Sequence, residues 1–301
     1  MGDWILSIAG TPQGAQLALV LALSSALFHA AFGALQKGRY HPFVIRGVID
    51  VWLLGLSLPI ALFLVPWPTA QGFLILLGAA VLHFFYKMTV ALAYERAAYT
   101  VVYPVIRGTG PVVTVLAAAA IFHEHFTALQ WAGVACLSGA MLLLALRNLS
   151  EEKLDGRGLR IGLVWALVGG LMVALYTVYD AWGIRLAANP FTFLAWFFVI
   201  TSLDMPLIAA YHVRRFGMAG SARTLVWRGA IGAVIAWASF GGVLLATRLD
   251  KVGEAAVLRE TSPVFAALIG WFILGEKVGP RRLALMGLIA LGAVMVELGG
   301  R

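Results

Sequence analysis

Several ionisable side chains sit well inside apolar stretches of this 301-residue sequence, among them His29, Asp50, His83, Lys87, Arg107, Asp180, Asp204, Arg259 and Glu260. Each type brings its own chemistry. The forked, always-charged guanidinium suits a carboxylate or a phosphate. Arg107 and Arg259 are the sharpest pair, because each lies one helical turn before a proline, Pro111 and Pro263. They either recognise an anion or zwitterion, or close internal ion pairs with Asp180 or Glu260. Asp180, in Tyr176-Thr177-Val178-Tyr179-Asp180, binds an amine, carries a proton or forms a salt bridge near a helix end. Lys87 follows His83 by four residues, so the two share a helix face. It either binds a carboxylate or extends its stem toward an interface. His29, in Phe28-His29-Ala30, is an interhelical hydrogen-bonder or a proton carrier, since imidazole titrates near working pH. Asp50 and Asp204 read as structural, and Glu124 and Glu276 as caps at helix ends.

Enzymatic chemistry has little to stand on. His123-Glu124-His125 is too tightly spaced for helical metal ligands four residues apart, and no HExxH or GxSxG occurs. A GxxxxGK[ST] nucleotide loop is also missing. Neither a metal, a cofactor nor a catalytic step is therefore expected.

The elements that must hold these groups follow from composition. The chain is 61% hydrophobic and only 12% charged, about half the charge of an ordinary soluble domain. Mean hydropathy is +0.91. A soluble enzyme, a disordered tail and a disulfide scaffold are excluded, the last because Cys136 is the one cysteine. The net charge of +8 resides mostly in short connections, where anionic lipid headgroups attract it. With no basic stripe, nucleic acid is not an expected partner.

Ten runs are long and apolar enough to cross a bilayer: 17–36, 43–65, 71–93, 99–121, 127–146, 161–182, 190–211, 224–246, 255–274 and 282–299. Strand alternation is absent, so the expected class is an all-α integral membrane protein. The polar stretch 147–160 reads as a linker between two halves, 17–146 and 161–299. The first sixteen residues lack a basic region and a cleavage site, so no cleaved signal peptide is expected.

The halves repeat. RGTGPVVTVLAAAAIFHE at 107–124 parallels RETSPVFAALIGWFILGE at 259–276, with Arg, Pro and Glu each 152 positions apart. His41-Pro42-Phe43 likewise parallels Asn189-Pro190-Phe191, 148 positions on. Five helices per half is an odd number, so the second copy enters from the opposite side. That is an inverted-topology repeat, a recurrent architecture of secondary transporters.

The pattern resembles the EamA type of the drug/metabolite transporter superfamily. The residues that carry the resemblance are Pro111 with Phe122-His123-Glu124, and Pro263 with Leu274-Gly275-Glu276-Lys277. A fifth helix rich in small residues follows each: Gly133 and Gly139, then Gly287 and Gly292. The resemblance covers about 17–299 and departs at His123, where the usual residue is glycine. It implies alternating-access transport of amino acids, nucleotide-type metabolites, sugars or drugs.

Charges buried in a bilayer cost on the order of 10–20 kcal/mol in total here, so some of them are expected to line a hydrated path. The expected substrate site comprises Arg107, Arg259, Lys87, Asp180, Glu260, Tyr86, Tyr176, His29 and Trp237. Deeper aromatics would supply apolar walls. The expected solute is a small organic anion or zwitterion, with protons as a candidate coupling ion; the alternative is a cationic drug bound by Asp180 or Glu260. A monomer suffices, and a homodimer through the small-residue helices is the alternative. Basic residues concentrate after odd-numbered helices, which places those connections in the cytoplasm and both termini outside. The resemblance implies the reverse.

Overall fold

The computed structural model describes residues 2–36, 40–97, 99–151, 156–218, 220–272 and 279–300. Among them it contains helices and no strand. The helices are α1 (Gly2–Ile8), α2 (Pro12–Gln36), α3 (Pro42–Pro59), α4 (Ala70–Tyr94), α5 (Tyr99–Ile121), α6 (Ala128–Glu151), α7 (Gly156–Leu186), α8 (Pro190–Thr201), α9 (Asp204–Phe216), α10 (Ala222–Leu249), α11 (Val252–Arg259), α12 (Ser262–Phe272) and α13 (Pro280–Gly300). A π-helical turn, Ile60–Leu64, extends α3 beyond Pro59. Helix occupies most of the polar stretch expected as a linker, since α6 runs to Glu151 and α7 begins at Gly156; residues 152–155 lie outside the described ones. So does 273–278, which carries Glu276.

Large apolar side chains point outward all over the molecule. Phe63 is 81% exposed and Leu207 74%. In water such a surface would drive aggregation, whereas in a bilayer the lipid tails are its solvent. Nine helical stretches among the described residues are long and apolar enough to span a membrane. The chain is therefore a multi-span membrane protein.

Two expected spans are not single helices. The run 190–211 is divided into α8 and α9 at Ser202-Leu203. The run 255–274 is divided into α11 and α12 at Glu260-Thr261. A proline contributes to both. A helical proline has no N–H to bond the carbonyl four residues earlier, and its ring crowds that carbonyl. For Pro206 that residue is Ser202, and for Pro263 it is Arg259. At the second break Thr261 donates from both its N–H and its hydroxyl to the Leu258 carbonyl, at 3.1 and 2.7 Å, tightening the last turn of α11. α5 carries Pro104 and Pro111 and remains continuous.

The chain packs as two compact units, Met1–Phe84 with Asp180–Leu249, and Phe85–Tyr179 with Asp250–Arg301. Each unit thus draws on both halves of the sequence. In the first unit α10 lies against α2 and α3, and α3 against α8 and α9. Ser25 and Ser239 tie α2 to α10 reciprocally, each hydroxyl donating to the other's carbonyl, at 2.7 and 3.0 Å. In the second unit α5 packs on α6 and α11, and α6 on α13. The α6–α13 contact is backbone on backbone: a Cβ placed at Gly133 or at Gly292 would come within 2.6 Å of the other glycine's carbonyl oxygen. Gly139 and Gly287, the other two small-residue positions, have nothing so placed.

Glu124 caps a helix, though not the one it follows. Its two carboxylate oxygens accept from the N–H groups of Val252 and Gly253, at 2.6 and 3.1 Å, at the start of α11. The preceding His123 has φ 54°, a left-handed conformation that glycine adopts more readily. Its sequence counterpart in the second half is Gly275.

Candidate functional site

A buried polar cluster in the second unit gathers five of the nine expected site residues. Arg107 lies mid-way along α5, and Arg259 and Glu260 lie at the break between α11 and α12. All three are 3% exposed. The Arg107 guanidinium donates from Nη1 to Glu260 Oε1 at 2.8 Å. Of the two readings of the arginines left open by the sequence, the internal ion pair is thus formed by Arg107 with Glu260. The other carboxylate oxygen, Oε2, is buried and accepts no hydrogen bond among the described residues.

Tyrosines surround the pair. Arg107 sits over the Tyr103 ring at 5.4 Å, a cation–π contact that its position one turn along α5 provides. The Tyr103 hydroxyl meets Ser262 Oγ at 3.3 Å, so α5 also reaches the first residue of α12. Tyr176, on α7, is 2% exposed and packs at 4.9 Å and 60° against Tyr86 on α4. Both rings lie within electrostatic reach of Arg107. Lys87, on α4, belongs to the same unit and is half-buried. Sequence reasoning missed Tyr103 and Ser262. The signals were present: Tyr103 is four residues before Arg107, the spacing that puts two side chains on one helix face, and Ser262 immediately precedes the helix-breaking proline.

The remaining three expected residues, Asp180, His29 and Trp237, belong to the first unit. Asp180 is 1% exposed, and its Oδ2 lies 2.7 Å from His83 Nε2. The imidazole is held edge-on by Phe197 and Phe240, with ring centroids 5.1 and 5.9 Å away. Trp237 stacks on Phe198 at 5.7 Å. Its indole nitrogen is buried without a hydrogen-bond partner among the described residues. His29 is half-buried on α2. The two structural aspartates have local partners. Asp50 pairs with Arg46 at 3.0 Å, and Asp204 accepts from the Met205 N–H at 2.7 Å.

A second polar knot in the same unit as Arg107 went unnoticed in the sequence. Gln130 donates to Glu254 Oε1 at 2.6 Å and to the Val296 carbonyl at 3.2 Å, while Lys251 reaches the same Glu254 oxygen at 2.7 Å. This ties the starts of α6 and α11 to the end of α13 beside the Glu124 cap. No group of three or more metal-ligating side chains occurs among the described residues.

What these clusters can do depends on the fold that carries them. One crystal structure superposes with a TM-score of 0.75 at 15% identity, covering 93% of this chain and 98% of that one; the two share a fold. No curated protein matches the sequence. The model of the EamA-like transporter family matches residues 160–298, the stretch that holds α8 to α12 and Arg259 with Glu260. Over that stretch, a little under half of its length, the chain is similar to the EamA-like transporter family of the drug/metabolite transporter superfamily.

Proposed function

We propose that the protein is a secondary active transporter that moves a small organic anion or zwitterion, such as an amino acid or related metabolite, across a bacterial inner membrane by alternating access. The match of residues 160–298 to the EamA-like transporter family supports membrane transport of a small molecule. The observation that carries the finer reading is the pair of buried guanidiniums, Arg107 and Arg259, beside a broken helix. Discontinuous membrane helices are where transporters of related design hold charged solutes. A fork of donors is shaped for carboxylate or phosphate. The sequence halves 17–146 and 161–299, joined at 147–160, are proposed as the inverted repeats, with a monomer as the working unit and no cofactor.

Counterflow in proteoliposomes tests this. Vesicles are loaded with unlabelled amino acids, organic acids, phosphorylated metabolites or lipophilic cations, and exchange of labelled solute is followed for wild type and Arg259→Gln. Exchange of an anionic or zwitterionic solute, abolished in the variant, supports the reading. Exchange of cations alone, indifferent to the substitution, overturns it. That outcome favours a proton-coupled exporter of cationic drugs, a reading to which the buried carboxylates of Asp180 and Glu260 lend support.

A further inference from the structure

The Arg107–Glu260 pair is buried, and one oxygen of its carboxylate is left over. Oε1 of Glu260 takes the guanidinium, while Oε2 is buried and accepts no hydrogen bond among the described residues. Glu260 sits in a helix break, where its backbone is set by a turn and the chain beyond it restarts at Ser262. Arg107 is the group that donates to this carboxylate, with Arg259 next in the chain and Tyr176 within electrostatic range of all three, and a buried anion that loses its hydrogen-bonded partner is strongly disfavoured. A solute carboxylate or phosphate that takes Arg107 removes this partner.

Resting on the anion reading above, we infer that Glu260 is the proton carrier of the transport cycle and that Arg107 is exchanged between it and the solute. When a solute anion binds the Arg107 guanidinium, Glu260 releases it and takes one proton from water on the loading side, becoming a neutral carboxylic acid. On the far side the anion departs, the proton returns to water from the carboxyl group, and the carboxylate pairs with Arg107 again. No bond to carbon changes, and the loaded and empty sites carry the same charge. Anion and proton therefore travel together. A zwitterion differs: its ammonium takes the place of the proton opposite Glu260, and it crosses without one.

The test uses the full-length protein in proteoliposomes with a trapped pH dye and labelled carboxylates, phosphomonoesters and amino acids as probes. In wild type, influx of an anionic probe should acidify the lumen in proportion to the label taken up, and influx of a zwitterionic probe should not. In Glu260→Gln, whatever anion movement remains should carry no proton above background and lose its dependence on pH. Glu260→Asp, which keeps the carboxyl group, should restore both. If anions cross wild-type vesicles without protons, the inference falls and the anion reading stands. If only cations cross, the anion reading falls and takes the inference with it. Proton movement that persists with anions in a monodisperse Glu260→Gln protein also overturns the inference. Should Glu260→Gln fail to fold, the wild-type stoichiometry and the Glu260→Asp pH profile still decide.

Discussion

At the scale of single residues, the energetics of the Arg107–Glu260 contact can be separated from its use in transport. Two charges in a dry interior are costly apart and tolerable together. Breaking such a pair from one side costs about 3–5 kcal/mol, whereas replacing both partners with groups of similar shape is often near neutral. Arg107→Met and Glu260→Gln should therefore each lower the unfolding midpoint in detergent. The double replacement should lower it by clearly less than the sum. A strictly additive result would show that the two side chains do not stabilise one another. The sequence made both residues conspicuous, as charges in apolar runs. It did not reveal which of Asp180 and Glu260 Arg107 would choose, because 153 positions separate it from Glu260. Asp180 instead meets His83, 97 positions away.

At the scale of elements, prolines decide where helices stop. The length and apolarity of the runs placed nearly every helix within a few residues, since about twenty apolar residues in a bilayer have no stable alternative to helix. Hydropathy is blind to a break inside a run, and so 255–274 looked continuous. Pro263 was visible, but Pro111 in the matching position leaves α5 whole, so the proline alone does not dictate the break. At the break the Thr261 hydroxyl donates to the Leu258 carbonyl, whereas the hydroxyl of Thr109, 152 positions earlier, donates to the Val105 carbonyl within an unbroken helix. Pro263→Ala restores the missing donor opposite the Arg259 carbonyl. It should leave the protein folded and slow counterflow severalfold, because a fused helix holds Glu260 more rigidly. Unchanged counterflow would remove the break from the mechanism. The α6–α13 contact gives a different expectation. Gly133→Val forces two backbones apart, and overpacking of this kind costs about 1–3 kcal/mol. A fall in thermal midpoint checks it, while Gly139→Val, at a position with open space, should be tolerated.

At the scale of the whole molecule, the sequence already specified a multi-span helical membrane protein, because lipid rewards apolar surface on the outside. It did not specify the compact units, since each takes pieces from both halves, and a linear reading divides a chain only along its length. Orientation is a property of this scale too. The concentration of Lys and Arg after odd-numbered spans favours both termini outside. Alkaline phosphatase fused to either end should therefore be active, and a fluorescent cytoplasmic reporter there should be dark. The opposite pattern would follow the orientation that the resemblance implies and show that charge is outvoted in this chain.

The cap on α11 gives that helix two unlike ends. Glu124 holds its first two N–H groups from another part of the same unit, and the chain turns away at Glu260. Eight residues of helix make a rod about 12 Å long. It is hinged at the carboxylate and carries Arg259 at its tip. Tilting the rod by about 10° sweeps that tip through about 2 Å at the helical rise per residue, enough to make or lose a hydrogen bond. α11 thus has the proportions of a lever, with Glu124 as its fulcrum and the charged residues as its working end.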